Sequence, residues 1–391
     1  MNFPKQWQSA LDVITKIENA GYEAFIVGGA VRDYYLQKDS ADVDVATSAL
    51  PHEVQAIFSQ TVDVGIDHGT VLVLDCGEPI EVTTYRTEST YSDHRRPDAV
   101  NFVRDLPEDL KRRDFTMNAM ALRNTGQFVD LFNGRQDIDA KVIRAVGDAA
   151  ERFQEDALRM LRAIRFSAQM DFSIEENTLK AIQQHVASIE FIAMERIQVE
   201  MSKIWISPNP VRAIHYIQWS QLHDYLPGEF DAIEWEQFQT TNRQVGWAYF
   251  CLVNGQDVSL LSAYRCSNKD KQFVKQVLHA FELLQNGGWK RMDYLQFDLE
   301  ILQTAYQFAT WQYVPTTISY EQIEEMKHAL PIQHKNELAI SGNDLLQWTS
   351  QKRGPWLQVV LQAALSAVVD GQIENDKEQL KEWFHAFNDE G

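Results

Sequence analysis

The residues best suited to chemistry lie between positions 26 and 46, Ile-Val-Gly-Gly-Ala-Val-Arg-Asp-Tyr-Tyr-Leu-Gln-Lys-Asp-Ser-Ala-Asp-Val-Asp-Val-Ala. Phe25, Ile26 and Val27 read as the end of a buried strand, Gly28 and Gly29 as a turn, and Ala30 to Leu36 as the first turns of a helix. A helix start directs free backbone N–H groups and a partial positive charge outward, and glycines let an anion approach the main chain closely. Arg32 adds a cationic fork for phosphate oxygens. In Asp42-Val43-Asp44-Val45 polar and apolar residues alternate, so on a strand both carboxylates share one face and both valines the other. Two carboxylates beside a triphosphate cradle are what a Mg²⁺-dependent phosphoryl-transfer site needs.

A second chemical centre is Phe153-Gln-Glu-Asp-Ala-Leu-Arg-Met-Leu-Arg-Ala-Ile-Arg-Phe166. Steps of three place Asp156, Arg159, Arg162 and Arg165 on a drifting stripe of one helix face, with Leu158, Leu161 and Ile164 as its buried side. Asp156 offers an acceptor and Arg159 a donor. Cytosine and adenine each present an exocyclic amine beside a ring-nitrogen acceptor, whereas uracil and guanine present a carbonyl beside an N–H. An Asp and Arg pair can therefore accept C and A and reject U and G, which would leave polar groups unpaired. Base choice would then need no nucleic-acid template. Between the two centres, Leu110-Lys-Arg-Arg-Asp-Phe-Thr-Met-Asn-Ala-Met-Ala-Leu122 predicts a helix opened by Arg112 and Arg113, with Phe115, Met117 and Met120 on its apolar face. Cations at a helix start oppose the dipole, so an anionic ligand there makes local sense.

Gly-Gly-x-x-Arg-Asp, followed ten residues after Arg32 by Asp42-x-Asp44, resembles the signature of the DNA polymerase β-like nucleotidyltransferases, in the branch of tRNA CCA-adding enzymes and bacterial poly(A) polymerases. Further stretches resemble motifs of the same family: Arg86 to Pro97 its flexible loop, Arg112-Arg-Asp-Phe-Thr-x-Asn-Ala119, Asp130-x-x-x-Gly-x-x-Asp137-Ile, Glu155-Asp-x-x-Arg159, and Glu195-Arg-Ile-x-x-Glu-x-x-Lys203. Tyr264-Arg-Cys-Ser-Asn-Lys269, Ile340 to Leu346 and Arg353-Gly-Pro-Trp356 resemble its body and tail segments. The resemblance covers essentially the whole chain and is nearest to class II CCA-adding enzymes of the compact bacterial kind. It implies a mixed α/β head, residues 1–140, followed by all-α neck, body and tail sections at 141–205, 206–288 and 289–391. It implies transfer of CMP, CMP and AMP from CTP and ATP to the 3′ end of tRNA. Asp42 and Asp44 would be catalytic and hold two Mg²⁺ ions; Gly29, Arg32 and Arg113 would position the nucleotide; Asp156 and Arg159 would choose its base. The family adds Arg162 and Arg165 to the nucleotide pocket.

The elements that must position these groups can be read around them. Residues 5 to 20 show apolar positions at helical spacing and stop at Gly21, and a second helix is expected from Thr47 to Phe58, with Ser48 as N-cap and Pro51 in its first turn. Thr61 to Leu74 carries two strand-like pieces around Gly65 and His68-Gly69; a lone histidine at a hairpin is read as structural. Pro79 to Arg86 is a β-branched strand on which Glu81 either joins Asp42 and Asp44 as a third carboxylate or is an ordinary edge glutamate. Residues 87–99 are polar and turn-rich, as suits a surface loop. From Ser173 to Lys203 the pattern is helical, and beyond Pro210 it is Trp-, Gln- and Leu-rich without a catalytic constellation; His223-Asp224 lacks the partners of a metal-phosphohydrolase site.

A chain of 391 residues can build more than one core. The formal charge of −20 speaks against a sequence-indifferent polynucleotide binder. Arginines nonetheless gather at Arg95-Arg96, Lys111-Arg112-Arg113 and Arg159, Arg162 and Arg165, a local basic track that could hold one nucleic acid. No apolar run of membrane-spanning length and no leader pattern occurs, and Cys76, Cys251 and Cys266 lack ligand spacing, so reduced thiols in a cytoplasmic protein are expected. Expected partners are tRNA, ATP and CTP, with no membrane and with a homodimer left open. Rival readings are an A-adding enzyme, a CC-adding enzyme (disfavoured by the intact loop motif), a poly(A) polymerase, and an RNA-binding protein on an inactive scaffold.

Overall fold

The computed structural model describes residues 3–40, 42–88 and 100–389. The chain forms two compact units, Met1–Thr241 and Asn242–Gly391.

The first unit begins with helix α1 (Gln8–Asn19), whose Ala10, Val13, Ile14 and Ile17 recur at helical spacing and are all buried. Gly21 follows at φ +91°, a left-handed turn that lets the chain reverse into strand β1 (Ala24–Val27). Helix α2 (Gly29–Tyr35), β2 (Asp44–Thr47), helix α3 (Pro51–Ile57), β3 (Thr61–Gly65), β4 (Thr70–Val73) and β5 (Ile80–Thr84) come next. A separate two-stranded ribbon, β6 (Arg86–Glu88) and β7 (Val100–Phe102), leads to helix α4 (Leu106–Lys111). Strands β8 (Met120–Leu122) and β9 (Phe128–Asp130) complete a seven-stranded sheet in the order β3-β4-β5-β2-β1-β8-β9, and helix α5 (Gly134–Asp139) follows.

The sheet is mixed: β2 runs parallel to β5 and antiparallel to β1. Central β1 is buried along its whole length, which is why it reads as an unbroken apolar run. Phe25, Val27, Ala46, Tyr85, Leu106, Leu110 and Ala121 form one cluster of the core, from the sheet and the helix laid on it.

Short strands β10 (Val142–Ile143) and β11 (Ser173–Ile174) pair in parallel and flank two helices, α6 (Ala149–Glu155) and α7 (Leu158–Met170). Helices α8 (Glu176–His185), α9 (Met194–Trp205) and α10 (Pro210–Trp219) pack around α7 and α6. The second unit is helical, from α11 (Arg243–Val253), α12 (Leu260–Ala263) and α13 (Asn268–Gln285) through α14 (Arg291–Gln296), α15 (Leu299–Trp311) and α16 (Tyr320–His328) to α17 (Gly342–Trp348), α18 (Trp356–Val369) and α19 (Lys377–Asp389). Ser267 starts α13 through a reciprocal cap with Asp270, and Gly287 and Gly288, both at positive φ, lie just beyond its end. Trp247, Tyr249, Phe250 and Tyr264 are buried there. Among the described residues no helix is long and apolar enough to cross a membrane.

Three local expectations are corrected. Arg112 and Arg113 do not open a helix: α4 starts after Asp105, with Pro107 in its first turn, and ends at Lys111, so both arginines stand at its C-terminal end. There a cation complements the dipole, and Asp109 lies three and four residues back to receive them. Phe115 is extended, Thr116–Asn118 is a 3₁₀ turn, and Met120 opens β8, so those apolar residues face a core from three kinds of backbone. Helix α3 begins only at Pro51, with Leu50 as N-cap, because β2 holds the chain extended to Thr47 and the Ser48 hydroxyl accepts from the Glu23 N–H at 2.9 Å. Asp156 does not lie on the arginine helix: α6 ends at Glu155, Asp156 is extended, and its carboxylate accepts from the Leu158 N–H at 3.1 Å as α7 starts. The loop motif lies outside the described residues from position 89 on, including Arg95 and Arg96.

Candidate active site

The antiparallel register of β1 and β2 sets Asp44 opposite Val27, so the first carboxylate of the strand stands beside the Gly28-Gly29 turn. Gly28 has φ +73°, where a side chain is strained, and a Cβ there would come within 3.3 Å of Arg113 Nη1 and 4.0 Å of Asp44 Oδ2. Glycine thus lets an arginine and an aspartate from distant parts of the chain close on one turn. Asp42 precedes the strand; the alternation holds, with Asp42 and Asp44 exposed and Val43 and Val45 buried. Because Val45 pairs with Val82, Glu81 on β5 lies alongside Asp44. Although Asp44 keeps solvent contact, the protein packed around its carboxyl partly desolvates it and raises its pKa, and the charges of Glu81 and Asp42 raise it further against the pull of Arg113.

Among the described residues neither Asp42 nor Asp44 makes an ion pair, and no group of three or more His, Cys, Asp or Glu is gathered to hold a metal. The donor set is therefore two carboxylates, all oxygen and reaching solvent. That fits a hard cation such as Mg²⁺, which usually takes one or two carboxylates and completes its shell with water and phosphate oxygens.

Asp44 lines a cavity of about 630 Å³ together with Gly28, Gly29, Arg32, Arg113, Asp156, Arg159, Arg162 and Arg165. Eight of the nine residues singled out in the sequence thus share one wall; Asp42 stands two positions before Asp44, outside that lining.

The arginines are held in place by carboxylates and carbonyls. Arg32, 7 % exposed, donates Nη1 to Asn118 Oδ1 at 2.8 Å and Nε to Asp33 Oδ1 at 2.9 Å. Asp109 receives Arg112 at 2.7 Å and Arg113 at 3.1 Å. Its burial favours the neutral acid, but the two guanidiniums outweigh that and lower its pKa. Among the described residues the buried Arg113 Nε has no hydrogen-bond partner.

Arg159 donates to Glu155 at 2.5 Å and to the carbonyls of Arg152 and Arg112 at 3.1 and 2.9 Å. Arg162 reaches Asp114 Oδ2 through Nε at 2.9 Å and Nη2 at 2.6 Å. Burial pushes the Asp114 carboxyl up, yet Arg162, the Asn118 amide and Arg159 together hold it at about 2. Arg165 is paired with buried Glu200 at 2.5 Å and with Gln169 at 2.7 Å. Asp156 takes a two-point grip from Arg196, at 3.2 and 2.7 Å. Counting the Leu158 N–H, three of the roughly four acceptor positions of this carboxylate are filled, which leaves room for one amine.

Asp114, Asn118 and Arg196 lie within the motifs named above, and the structure adds them to the site as partners of Arg162, Arg32 and Asp156. Their signal was available only as complementarity: an arginine aimed at an anion must itself be anchored, and these residues are the anchors. His68 also lines the cavity, exposed, and its backbone carbonyl accepts from Arg86. Chemically, the arrangement can hold a polyanion against an arginine wall with an acidic, cation-ready edge on one side and an Asp/Arg pair on the other.

Known proteins resemble this chain in sequence and in fold. A family model for the Poly A polymerase head domain matches residues 24–144, one for a probable RNA- and SrmB-binding site of polymerase A residues 171–233, and one for a putative tRNA nucleotidyltransferase domain 2 residues 238–384. The chain is 40% identical to the CCA-adding enzyme of Bacillus cereus strain B4264, over 98% of this chain and 99% of that protein. The same identity and coverage hold for the CCA-adding enzyme of Bacillus mycoides strain KBAB4. The crystal structure of the Bacillus stearothermophilus CCA-adding enzyme in complex with CTP superposes with a TM-score of 0.89 at 37% identity, covering 99% of this chain and 98% of that one. The Thermotoga maritima CCA-adding enzyme complexed with tRNA shares the fold, with a TM-score of 0.65 at 20% identity and coverage of 99% and 96%. This chain belongs to the family of CCA-adding enzymes.

Proposed function

We propose that this protein adds C, C and A to the 3′ end of tRNA from CTP and ATP, without a template and by nucleotidyl transfer at the Asp44 edge of the cavity. The observation that carries the reading is the meeting, in one 630 Å³ cavity, of Asp44 with an arginine wall and the Asp156/Arg159 pair. Asp42 and Asp44 are the catalytic carboxylates and would hold two Mg²⁺ ions. These ions would lower the pKa of the tRNA 3′-hydroxyl and neutralise the triphosphate and leaving pyrophosphate.

Gly29 leaves the main chain open to a phosphate, and Arg32 and Arg113 bind the triphosphate from the head. Arg162 and Arg165 supply positive charge from the facing helix. Asp156 accepts from the exocyclic amine of C or A while Arg159 donates to the ring nitrogen, and U and G are rejected because each would leave a buried polar group unpaired. A local site of this kind explains how a chain of net charge −20 serves RNA: arginines are concentrated in the cavity lining. The four-section division expected from the sequence and the cytoplasmic location belong to the same reading, which leaves a homodimer open.

The test is incorporation of labelled CTP and ATP, singly and together with Mg²⁺, into tRNAs ending before the first C, the second C and the A. Two Cs and one A, then a stop, are expected. Addition of A only, to the CC-ended tRNA, would make the protein an A-adding enzyme. Addition of Cs without A would make it a CC-adding one, and continued A addition a poly(A) polymerase. No incorporation on any of the three would sink the catalytic reading.

A further inference from the structure

Three guanidinium groups of the cavity meet at one aromatic ring. The central carbon of Arg165 lies over Phe166 at 3.8 Å from the ring centroid, that of Arg32 at 5.3 Å and that of Arg162 at 5.4 Å. Phe166 is 5 % exposed and lines the cavity, and Phe115 packs edge-on against it, centroids 5.8 Å apart and planes at 85°, which fixes the ring. The three arginines reach the ring from two elements: Arg32 from α2, Arg162 and Arg165 from α7.

Their polar anchors differ. Arg32 is held by Asn118 and Asp33, Arg162 by Asp114, and Arg165 by Glu200 and Gln169. Each anchor fixes one guanidinium, and the ring is a contact that all three share. Like charges gathered in one cavity repel, and three separate anchors do not by themselves set the guanidiniums relative to one another. Each of the three is already paired with a carboxylate, Asp33, Asp114 or Glu200, so compensation of charge comes from the anchors. An aromatic face attracts cations through its quadrupole, so the ring adds one contact common to the three guanidiniums, which no single anchor supplies.

We propose that Phe166 is a positioning residue for triphosphate binding, setting Arg32, Arg162 and Arg165 side by side through the one ring they share. The inference rests on the nucleotide-transfer reading above and adds to it a residue that need not itself bind a phosphate. The ring acts on the phosphate side of the ligand, so it serves CTP and ATP equally and takes no part in telling the bases apart.

The test compares Phe166→Leu, which keeps apolar bulk and loses the quadrupole, with Phe166→Tyr, which keeps the ring. Equilibrium dialysis of ATP and CTP and steady-state addition to CC-ended and shorter tRNAs are measured beside thermal melting. The expected result for Phe166→Leu is weaker binding and a KM raised on the order of tenfold for both nucleotides, with kcat and the exclusion of UTP and GTP little changed. Phe166→Tyr should restore most of the affinity. Three results would overturn the proposal: nucleotide affinity unchanged in Phe166→Leu, a defect equally large in Phe166→Tyr, or a loss of affinity that merely follows a loss of melting temperature across the two variants. If the unaltered protein adds neither nucleotide, the functional reading fails. Dialysis would still decide the role of Phe166 in binding.

Discussion

The acidic edge and the arginine wall face the same cavity and are built by opposite rules. On the edge, Asp42 and Asp44 are exposed and, among the described residues, unpaired, and Asp44 bears the like charge of Glu81 beside it. On the wall, Arg32, Arg112, Arg113, Arg159, Arg162, Arg165 and Arg196 each meet a carboxylate, from Asp33, Asp109, Glu155, Asp114, Glu200 or Asp156. Charges held without a counter-charge cost stability and suit a site that receives a cation. Charges held by partners keep their geometry and suit a site that must recognise a shape. The difference teaches which side chains the fold tolerates for function and which it also uses to stand up.

The comparison can be broken at four points. The largest effect is expected on the edge: Asp42→Ala or Asp44→Ala should lower nucleotide incorporation on the order of a thousandfold, the several kcal/mol that metal-assisted charge stabilisation contributes. tRNA binding, read by filter retention, should survive. Activity within about tenfold of the unaltered protein would remove these carboxylates from the chemistry.

On the wall, Asp114→Ala strands Arg162 without its partner and should cost about 3–5 kcal/mol, seen as a lower urea midpoint of the transition that unfolds the first unit. The same pair carries a pH signature. The Asp114 carboxyl is held at about 2, below the ordinary 3.8, so its contribution is fully present above the ordinary value and is lost as pH falls through the folded one. The urea midpoint of the unaltered protein should therefore drop more steeply between about pH 4 and pH 2 than that of Asp114→Asn. Parallel curves would show that the pairing contributes nothing.

Third, Asp156→Ala should relax discrimination against UTP and GTP on the order of a hundredfold. Unchanged base choice would move the reading of the base elsewhere in the cavity. The smallest effect returns to the edge: Asp44→Asn removes a like charge and should stabilise the metal-free protein by a few tenths of a kcal/mol, discounted for solvent screening, while abolishing transfer. A destabilised Asp44→Asn would erase the contrast between edge and wall.

Much of the site was legible in residue order. Gly28 to Asp44 announced a phosphate turn followed by paired acids because strand, turn and strand alternation are local patterns, and β1, α2 and β2 follow them with only small shifts at their ends. Local pattern misled where two backbones fit the same apolar spacing. Phe115, Met117 and Met120 read as a helical face, yet Asp109 draws Arg112 and Arg113 to the end of α4 and the chain turns toward β8. Asp156 read as part of the arginine stripe, yet its carboxylate caps the backbone at the start of α7 and is gripped from α9 by Arg196.

By itself the sequence determined the inventory: two glycines, paired aspartates, arginines at a helical period, and an acidic excess over the chain as a whole. Those are matters of residue type and spacing, which a chain carries before it folds. Only the tertiary structure decided the partnerships. Asp114 with Arg162 and Arg32 with Asn118 join positions 48 and 86 residues apart, and three arginines share the ring of Phe166 across two elements. Such pairings depend on sheet register and helix packing, which bring distant side chains within hydrogen-bond reach, and no periodicity in the sequence encodes which arginine meets which acid.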